Sequence, residues 1–583
     1  MNLTEQALNW QHLIPTLDIK NVPNDNVTFF DLQPRARSAI TQFLQNSHRT
    51  LLVLKADDQS EYAPLLETFI ASQQTPSADV KGVQYVVEQA DSFSFARVSV
   101  EPAQSPADNF AAQKTVASAM YFDQGKLFGS LQIHPTSKDI QLNAGLVHQL
   151  NGGVLILSAA TLLEQFELWP RLKHILLTQT FDWYSVHPFK PLPCEIPSYP
   201  LQLKIVLLGS RADLATLSEL EPDLFQLADY SEIESYFSVE DEQAQAQWAS
   251  YVQNATSQQL DLAALNKFYQ LLVRESEDRS LINISPLTLK NWFTQLELQG
   301  KGSLSAVDFE RVFAARQYQQ SFLREQAYAD ILHEQIYVPT AGEEIGQING
   351  LSVVDYAGTP LSFGEPSRIS CIVQFGDGEV IDVDRKSELA GNIHGKGMMI
   401  AESCLASLLD LPSQLPFSAS LVFEQSYSEI DGDSASLAAF CVLTSALADL
   451  PIPQSIAITG AIDQFGLVHS VGGVNDKIEG FFTICQRRGL TGKQGVIVPT
   501  AVIHQLSLND AVVSAVKNQQ FFIWAVEDVF QACEILFQRD LLEEEKEYTE
   551  DAQPISRLIQ QRIELRADLP RFSLWRLLFG RNK

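Results

Sequence analysis

A serine that follows a tight, glycine-bearing turn and opens a helix has the setting of a nucleophile. Leu421 to Tyr427 (LVFEQSY) reads as a strand, and Ser428-Glu-Ile-Asp-Gly-Asp433 reads as a short loop. Ala435 to Leu450 then reads as a helix rich in Ala and Leu, stopped by Pro451 and Pro453. Ser434 is therefore placed at a helix N-terminus. Backbone N–H groups and the positive end of the helix dipole there favour an alkoxide or a tetrahedral oxyanion. The same position equally suits a structural cap, in which Asp433 or Ser434 accepts a backbone N–H and does nothing more.

A nucleophilic serine needs a base. Gly432-Asp-Ser-Ala-Ser436 partly matches the GxSxG turn of α/β-hydrolases, whose base is a downstream histidine, and His469 and His504 are available. However, Ser436 replaces the closing glycine and no acid-then-histidine order follows. The GDSGG turn of chymotrypsin-like proteases fits less well, because a helix follows this serine at once. Lys477 is the better base. Thr459-Gly460 follows a short strand, a hairpin spans Asp463 to Leu467, and Gly472-Gly473 turns the chain into a helix from about Asn475 to Arg488. Lys477 lies in the first turn, where the helix dipole opposes a positive charge, amid Val471, Val474, Ile478 and Phe481. Burial and dipole together lower its pKa, and a neutral amine can take a proton from a serine hydroxyl. The plainer reading is a surface lysine that begins a helix.

Successive textures along the chain supply the elements that must hold these residues. Thr50 to Lys55, Gly153 to Leu157 and Leu203 to Leu208 are continuous apolar strands between helical stretches, which predicts a parallel α/β sheet. A helix is expected from Gln33 to about Gln45 and another from about Ser60. Residues 76–137 are polar and aperiodic and are expected to be an insertion or loop-rich. Residues 238–332 read as helical throughout. From Glu343 glycines return with short strands, among them Ile369 to Phe375, Ser418 to Glu424 and Ser455 to Ile458.

The α/β region invites a nucleotide, but its residues do not supply the chemistry. After Thr50 to Lys55 comes Ala56-Asp-Asp-Gln-Ser60, with two carboxylates and no glycine to wrap a phosphate. After Gly153 to Leu157 comes Ser158-Ala159, where an ATPase wants acids for magnesium and water. No ATP is expected as a cofactor, though nucleotide held by an unrecognised loop stays open. No metal is expected either, since His333-Glu334 lacks the second histidine of a zinc helix.

Composition bounds the rest. The 583 residues suggest three to four domains or two large ones. A hydrophobic share of 45% against 19% charged marks a globular chain. The net charge of −30 argues against nucleic acid or anionic lipid as the main partner. Six scattered cysteines without a CxxC indicate cytosolic usage rather than a disulfide framework. MNLTEQALNWQHLIP carries no signal-peptide pattern, and Gly145 to Leu163 is too broken to span a bilayer, so a cytoplasmic location without a membrane span is expected. One segment runs against the acidic balance. After the acidic run at Glu543-Glu-Glu545, residues 556–583 carry Arg557, Arg562, Arg566, Arg571, Arg576, Arg581 and Lys583 among Leu569, Phe572, Leu574, Trp575, Leu577, Leu578 and Phe579. Such a tail has two fates open to it, docking on its own acidic assembly or on an anionic partner.

Phe423-Glu-Gln-Ser-Tyr427, Asp431-Gly-Asp-Ser-Ala-Ser436, Thr459-Gly460 and Val471-Gly-Gly-Val-Asn-Asp-Lys477-Ile-Glu-Gly-Phe-Phe482 together resemble the proteolytic domain of Lon proteases, B-type branch. Leu361-Ser-Phe-Gly-Glu-Pro-Ser-Arg368 and Ile393-His-Gly-Lys-Gly397 add to the match. Leu32-Gln-Pro-Arg-Ala-Arg-Ser38, Asn151-Gly-Gly-Val-Leu-Ile156 and the helical stretch resemble an AAA+ module with its lid, and the whole chain resembles the Lon-related YcbZ group. The resemblance implies Ser434 as nucleophile, Lys477 as general base and Thr459 as the partner that orients the lysine. It also implies a homohexamer acting on unfolded or loosely folded polypeptides.

The expected architecture is then a degenerate AAA+ α/β domain at 1–237 and an all-helical lid at 238–342. An α+β Lon-type proteolytic domain follows at 343–540, and an acidic linker with the basic-apolar tail at 541–583. The expected function is a Ser-Lys endopeptidase working without ATP hydrolysis. The alternatives are an ATP-dependent protease, or a non-proteolytic adaptor with a vestigial dyad.

Overall fold

The computed structural model describes residues 6–567 except 24, 57–59, 75–79, 90, 92–95, 135, 138, 184–191, 193, 299–301, 413–414, 426–430, 544, 546–547 and 550–551. Most of the Ala56–Ser60 loop, the stretch from Ser426 to Ile430, and the basic-apolar tail from Asp568 onward lie outside the described residues.

Leu51–Lys55 (β1), Val116–Ala119 (β2), Val154–Ser158 (β3), Lys204–Gly209 (β4) and Asp229–Glu232 (β5) form a parallel sheet in the order β5-β1-β4-β3-β2. Side chains alternate across a strand. Leu52 and Leu54 of β1 enter one apolar cluster with the helix Pro34–Gln45, while Leu51 and Val53 enter another with the helix Trp169–Thr178. Burial on both faces is why β1, β3 and β4 read as continuous apolar runs. The two outer strands gave no such signal, because VASA is small-chained and DYSE is polar. Residues 76–137 are more regular than their sequence suggests. They hold β2, an antiparallel sheet of Gly82–Glu88, Arg97–Pro102 and Phe110–Ala111, and the first strand of a hairpin, Ser130–Ile133 with Ile140–Asn143. Only one side of Gly82–Glu88 is buried, through Val83 and Tyr85, so its pattern is too short to stand out.

Five helices follow: Glu242–Asn254 (α1), Leu262–Ser276 (α2), Pro286–Glu297 (α3), Ala306–Gln320 (α4) and Phe322–Leu332 (α5). Asp241 and Asp261 cap α1 and α2 by accepting the N–H of Ala244 at 2.7 Å and of Ala264 at 2.6 Å. Their aromatic core of Trp248, Phe268, Trp292, Phe293 and Phe309 runs without a break into the Leu52 side of the parallel sheet.

The last part is α+β. Gln347–Asp355 (β6), Ser362–Gly378 (β7), Val380–Asp382 (β8), Leu415–Phe423 (β9), Ile456–Ile458 (β10), Gln494–Pro499 (β11) and Phe521–Val526 (β12) form a mixed sheet in the order β8-β9-β7-β6-β10-β11-β12. Its helices include Asn392–Leu408 (α6), Ser436–Ala448 (α7), Val474–Arg488 (α8), Val529–Phe537 (α9) and Ile555–Ala567 (α10), besides the shorter Val383–Lys386 and Asp510–Lys517. Every residue of α7 is buried, as befits a helix apolar all round. Helix α10 seals the far end of α7. Ile555 and Ile559 enter the core, and the Arg562 guanidinium donates to Ala446 O at 3.0 Å and Leu447 O at 2.7 Å. The chain's first described segment also belongs here. Leu8 N donates to Ile523 O at 2.8 Å, Leu508 N donates to Leu13 O at 3.0 Å, and Leu13 is buried with Val496 and Phe521. Among the described residues no helix is long and apolar enough to cross a membrane.

Candidate active site

Ser434 stands in the turn just before α7, half-buried. Four hydrogen bonds stitch this turn to the chain leaving β10. Gly460 N donates to Ser434 O at 2.8 Å and Leu437 N donates to Gly460 O at 3.1 Å. The Thr459 hydroxyl donates to Ser434 O at 3.3 Å, and Ile462 N donates to the Ser436 hydroxyl at 2.9 Å. Gly460 is packed closely here, and a Cβ there would meet Leu437 Cδ2 at 2.8 Å, so that side chain would have to move aside.

Lys477 arrives from α8. The helix is entered through Gly473 at φ 65°, a left-handed conformation that glycine adopts without strain. It lies hard against β7. A Cβ on Gly364 would meet Asp476 O at 2.0 Å, and one on Gly480 would meet Gly364 O at 2.2 Å. Asn475 fixes the first turn from the other side, donating to Gln505 O at 3.0 Å and accepting from Ser507 N at 2.8 Å. Lys477 is consequently 4% exposed, and its Nζ lies 3.1 Å from Ser434 Oγ and 3.3 Å from Thr459 Oγ1. Burial pushes its pKa down to about 8, with the carboxylates of Glu277 and Asp433 pulling the other way. The structure thus brings Ser434, Lys477 and Thr459 within hydrogen-bond reach of one another. Neither histidine joins them. His469 faces Asp463 at 3.2 Å and His504 faces Asp278 at 3.1 Å.

Sequence reasoning missed the lid's part in this site. Glu277, just past the end of α2, accepts the N–H of Gly473 at 3.1 Å. Arg274 donates to Asp476 Oδ1 and to Glu479 Oε2, each at 2.8 Å. Nothing local marks a charged residue at a helix end for a contact about two hundred positions away.

The end of β3 holds no comparable chemistry. Ser158 caps the next helix by accepting the N–H of Thr161 at 3.2 Å, and Ala159 is packed where a Cβ on Gly209 would meet it at 2.6 Å. Among the described residues no group of three or more His, Cys, Asp or Glu could hold a metal ion.

Comparison with known proteins matches two parts of the chain to family models. Residues 115–229 match the family model described as a LonB-like AAA domain. Residues 427–536 match that of the Lon protease (S16) C-terminal proteolytic domain. A protein of Haemophilus influenzae named as a Lon protease homolog is 66% identical over 575 residues, which is 98% of this chain and 96% of its own. One of Escherichia coli with the same name is 43% identical over 549 residues, 92% of each chain. An archaeal Lon protease of Methanocaldococcus jannaschii is 35% identical over 155 residues, 24% of this chain and 22% of its own.

Proposed function

The chain belongs to the Lon protease family and is a serine-type endopeptidase, and on that premise we propose that Ser434 is its nucleophile and Lys477 its general base. A buried lysine amine 3.1 Å from a serine hydroxyl at a helix N-terminus is the observation that carries this reading. With the amine neutral, the Ser434 Oγ–H proton passes to Lys477 Nζ as the oxygen attacks the substrate's peptide carbonyl. The oxyanion develops at the positive end of α7. The Lys477 ammonium then gives its proton to the departing amine. A water, deprotonated by the same lysine, hydrolyses the acyl-serine. Thr459 Oγ1 accepts an N–H of Lys477 and so aims its lone pair at Ser434.

The substrates are unfolded or loosely folded polypeptides, cleaved without ATP hydrolysis. Supporting this, Ser158 and Ala159 serve as a cap and a packing contact where an ATPase needs acids. The family resemblance supports a homohexamer. The α/β elements give way to the lid near residue 237 and the lid to the proteolytic domain near residue 342. The segment through Leu13 and helix α10, beyond residue 540, pack with the proteolytic domain, and the protein works in the cytoplasm. Labelling of Ser434 by a fluorophosphonate, together with cleavage of an unfolded protein in the absence of nucleotide, tests the proposal. Cleavage by Lys477→Ala within a few-fold of the parent would refute the dyad, and cleavage that requires ATP would refute its independence of nucleotide.

A further inference from the structure

Helix α2 of the lid and the segment Gln505 to Asn509 of the proteolytic domain converge on the first turns of α8, which present Lys477. Helix α2 ends with Glu277 in the left-handed region, at φ 53°, which swings its carboxylate onto the N-terminus of α8. A carboxylate on N–H groups at that end of a helix is favourably placed. One turn earlier, Arg274 spans Asp476 and Glu479, so the lid grips α8 on both sides of Lys477. Glu479 is held in turn by the N–H of Asn509 at 2.8 Å. The contact continues beyond the helix. The Ser507 hydroxyl donates to Gln270 O at 2.7 Å, Arg279 Nη2 donates to Leu506 O at 2.9 Å, and Lys267 sits 3.1 Å from both Glu310 and Asp510.

We propose that Glu277 is a positioning residue for Lys477, and that the lid, through Glu277 and Arg274, holds the first turn of α8 in place against Ser434. This rests on the Ser434–Lys477 reading above. The charged groups around Lys477 are Glu277 from the lid, Asp433 from the serine loop, Asp476 and Glu479 from its own helix, and Arg274 facing those two. Burial lowers the lysine's pKa, whereas Glu277, the first of its charge partners, favours the ammonium. A seated lid therefore fixes the amine beside the serine while restraining how readily it becomes neutral. A lid that withdraws releases that restraint and loses the placement.

Glu277→Gln in the full-length protein separates the two effects, because the amide oxygen can still accept the Gly473 N–H while the charge is gone. The midpoint of the alkaline rise in kcat/KM for a short peptide is expected to move to lower pH by about half a unit or more. The Lys477 resonance of ε-13C-lysine protein, identified by its loss in Lys477→Arg, should titrate with the same displacement. Glu277→Asp keeps the charge but shortens the reach, so kcat should fall with KM and midpoint little changed. A Lys477 titration unmoved in Glu277→Gln, or moved equally in both variants, overturns the proposal. Cleavage surviving Lys477→Ala would instead overturn the dyad itself, so the two failures are distinguishable.

Discussion

At the end of β3 the chain turns into a helix through Ser158 and Ala159, and at the entry to α8 it turns through Gly473 to reach Lys477. In the first place a cap hydrogen bond and a small buried methyl fill positions where an ATPase would hold acids. Both choices stabilise the helix they begin. In the second place a lysine is buried at the end of a helix where positive charge is disfavoured, and its pKa falls to about 8 from an ordinary 10.5. That choice lowers stability. The unfolded chain keeps the ammonium in water up to about pH 10.5, while the folded chain begins to shed it near pH 8. The unfolded state therefore binds more protons between these values, so folding stability rises with pH across that window and the full cost is present below it. Ser158 and Ala159 settle into favourable positions, whereas a buried amine held against its preference beside a serine hydroxyl is what the base role proposed for Lys477 requires.

The contrast breaks most sharply at the dyad. Ser434→Ala or Lys477→Ala should reduce cleavage of an unfolded protein by about a thousandfold or more with the fold intact by circular dichroism. Next comes the seat of α8. Gly364→Val forces the helix off β7, and a displacement of about 1 Å should reduce kcat by about a hundredfold. Steady-state peptide kinetics would show it, and a variant as active as the parent would mean that this contact does not place Lys477. The pH profile sharpens the comparison by another route. With a base near pH 8, activity should rise about tenfold from pH 7 to pH 9 and then level off, and a flat profile would exclude a lysine base. The smallest effect belongs to the β3 end. Ser158→Ala should lower stability by about 1 kcal/mol in thermal or urea unfolding while leaving nucleotide-free cleavage untouched. A loss of activity there without a loss of stability would show that this position does more than cap.

Much of this was legible from residue types alone. The burial of β1, β3 and β4 on both faces writes itself as unbroken apolar runs, and the expected helix at about Asn475–Arg488 forms as Val474–Arg488. The glycine turn before Ser434 and the first-turn position of Lys477 are local features and could be read as such. What escaped was set by distance or by ambiguity. VASA and DYSE carry no strand signal until neighbours pair with them. Gly364 and Gly480 look like ordinary glycines, and only their mutual approach shows why neither can carry a side chain. Arg274 and Glu277 carry no local signal, because their partners lie at the entry and first turns of α8, 196 residues away for Glu277 and Gly473.

The short segment through Leu8 and Leu13 also has a mechanical meaning. It is anchored on β12 and beside Leu508, so the α/β and lid elements leave the proteolytic domain after Leu13 and rejoin it through α5. A body mounted at two separated points resists twisting and peeling far better than one hung from a single linker. Rotation about the line joining the mounts is its softest motion. A tug on the parallel sheet is then shared between both attachments, and Arg279, which donates to the carbonyls of both His12 and Leu506, reinforces the first of them.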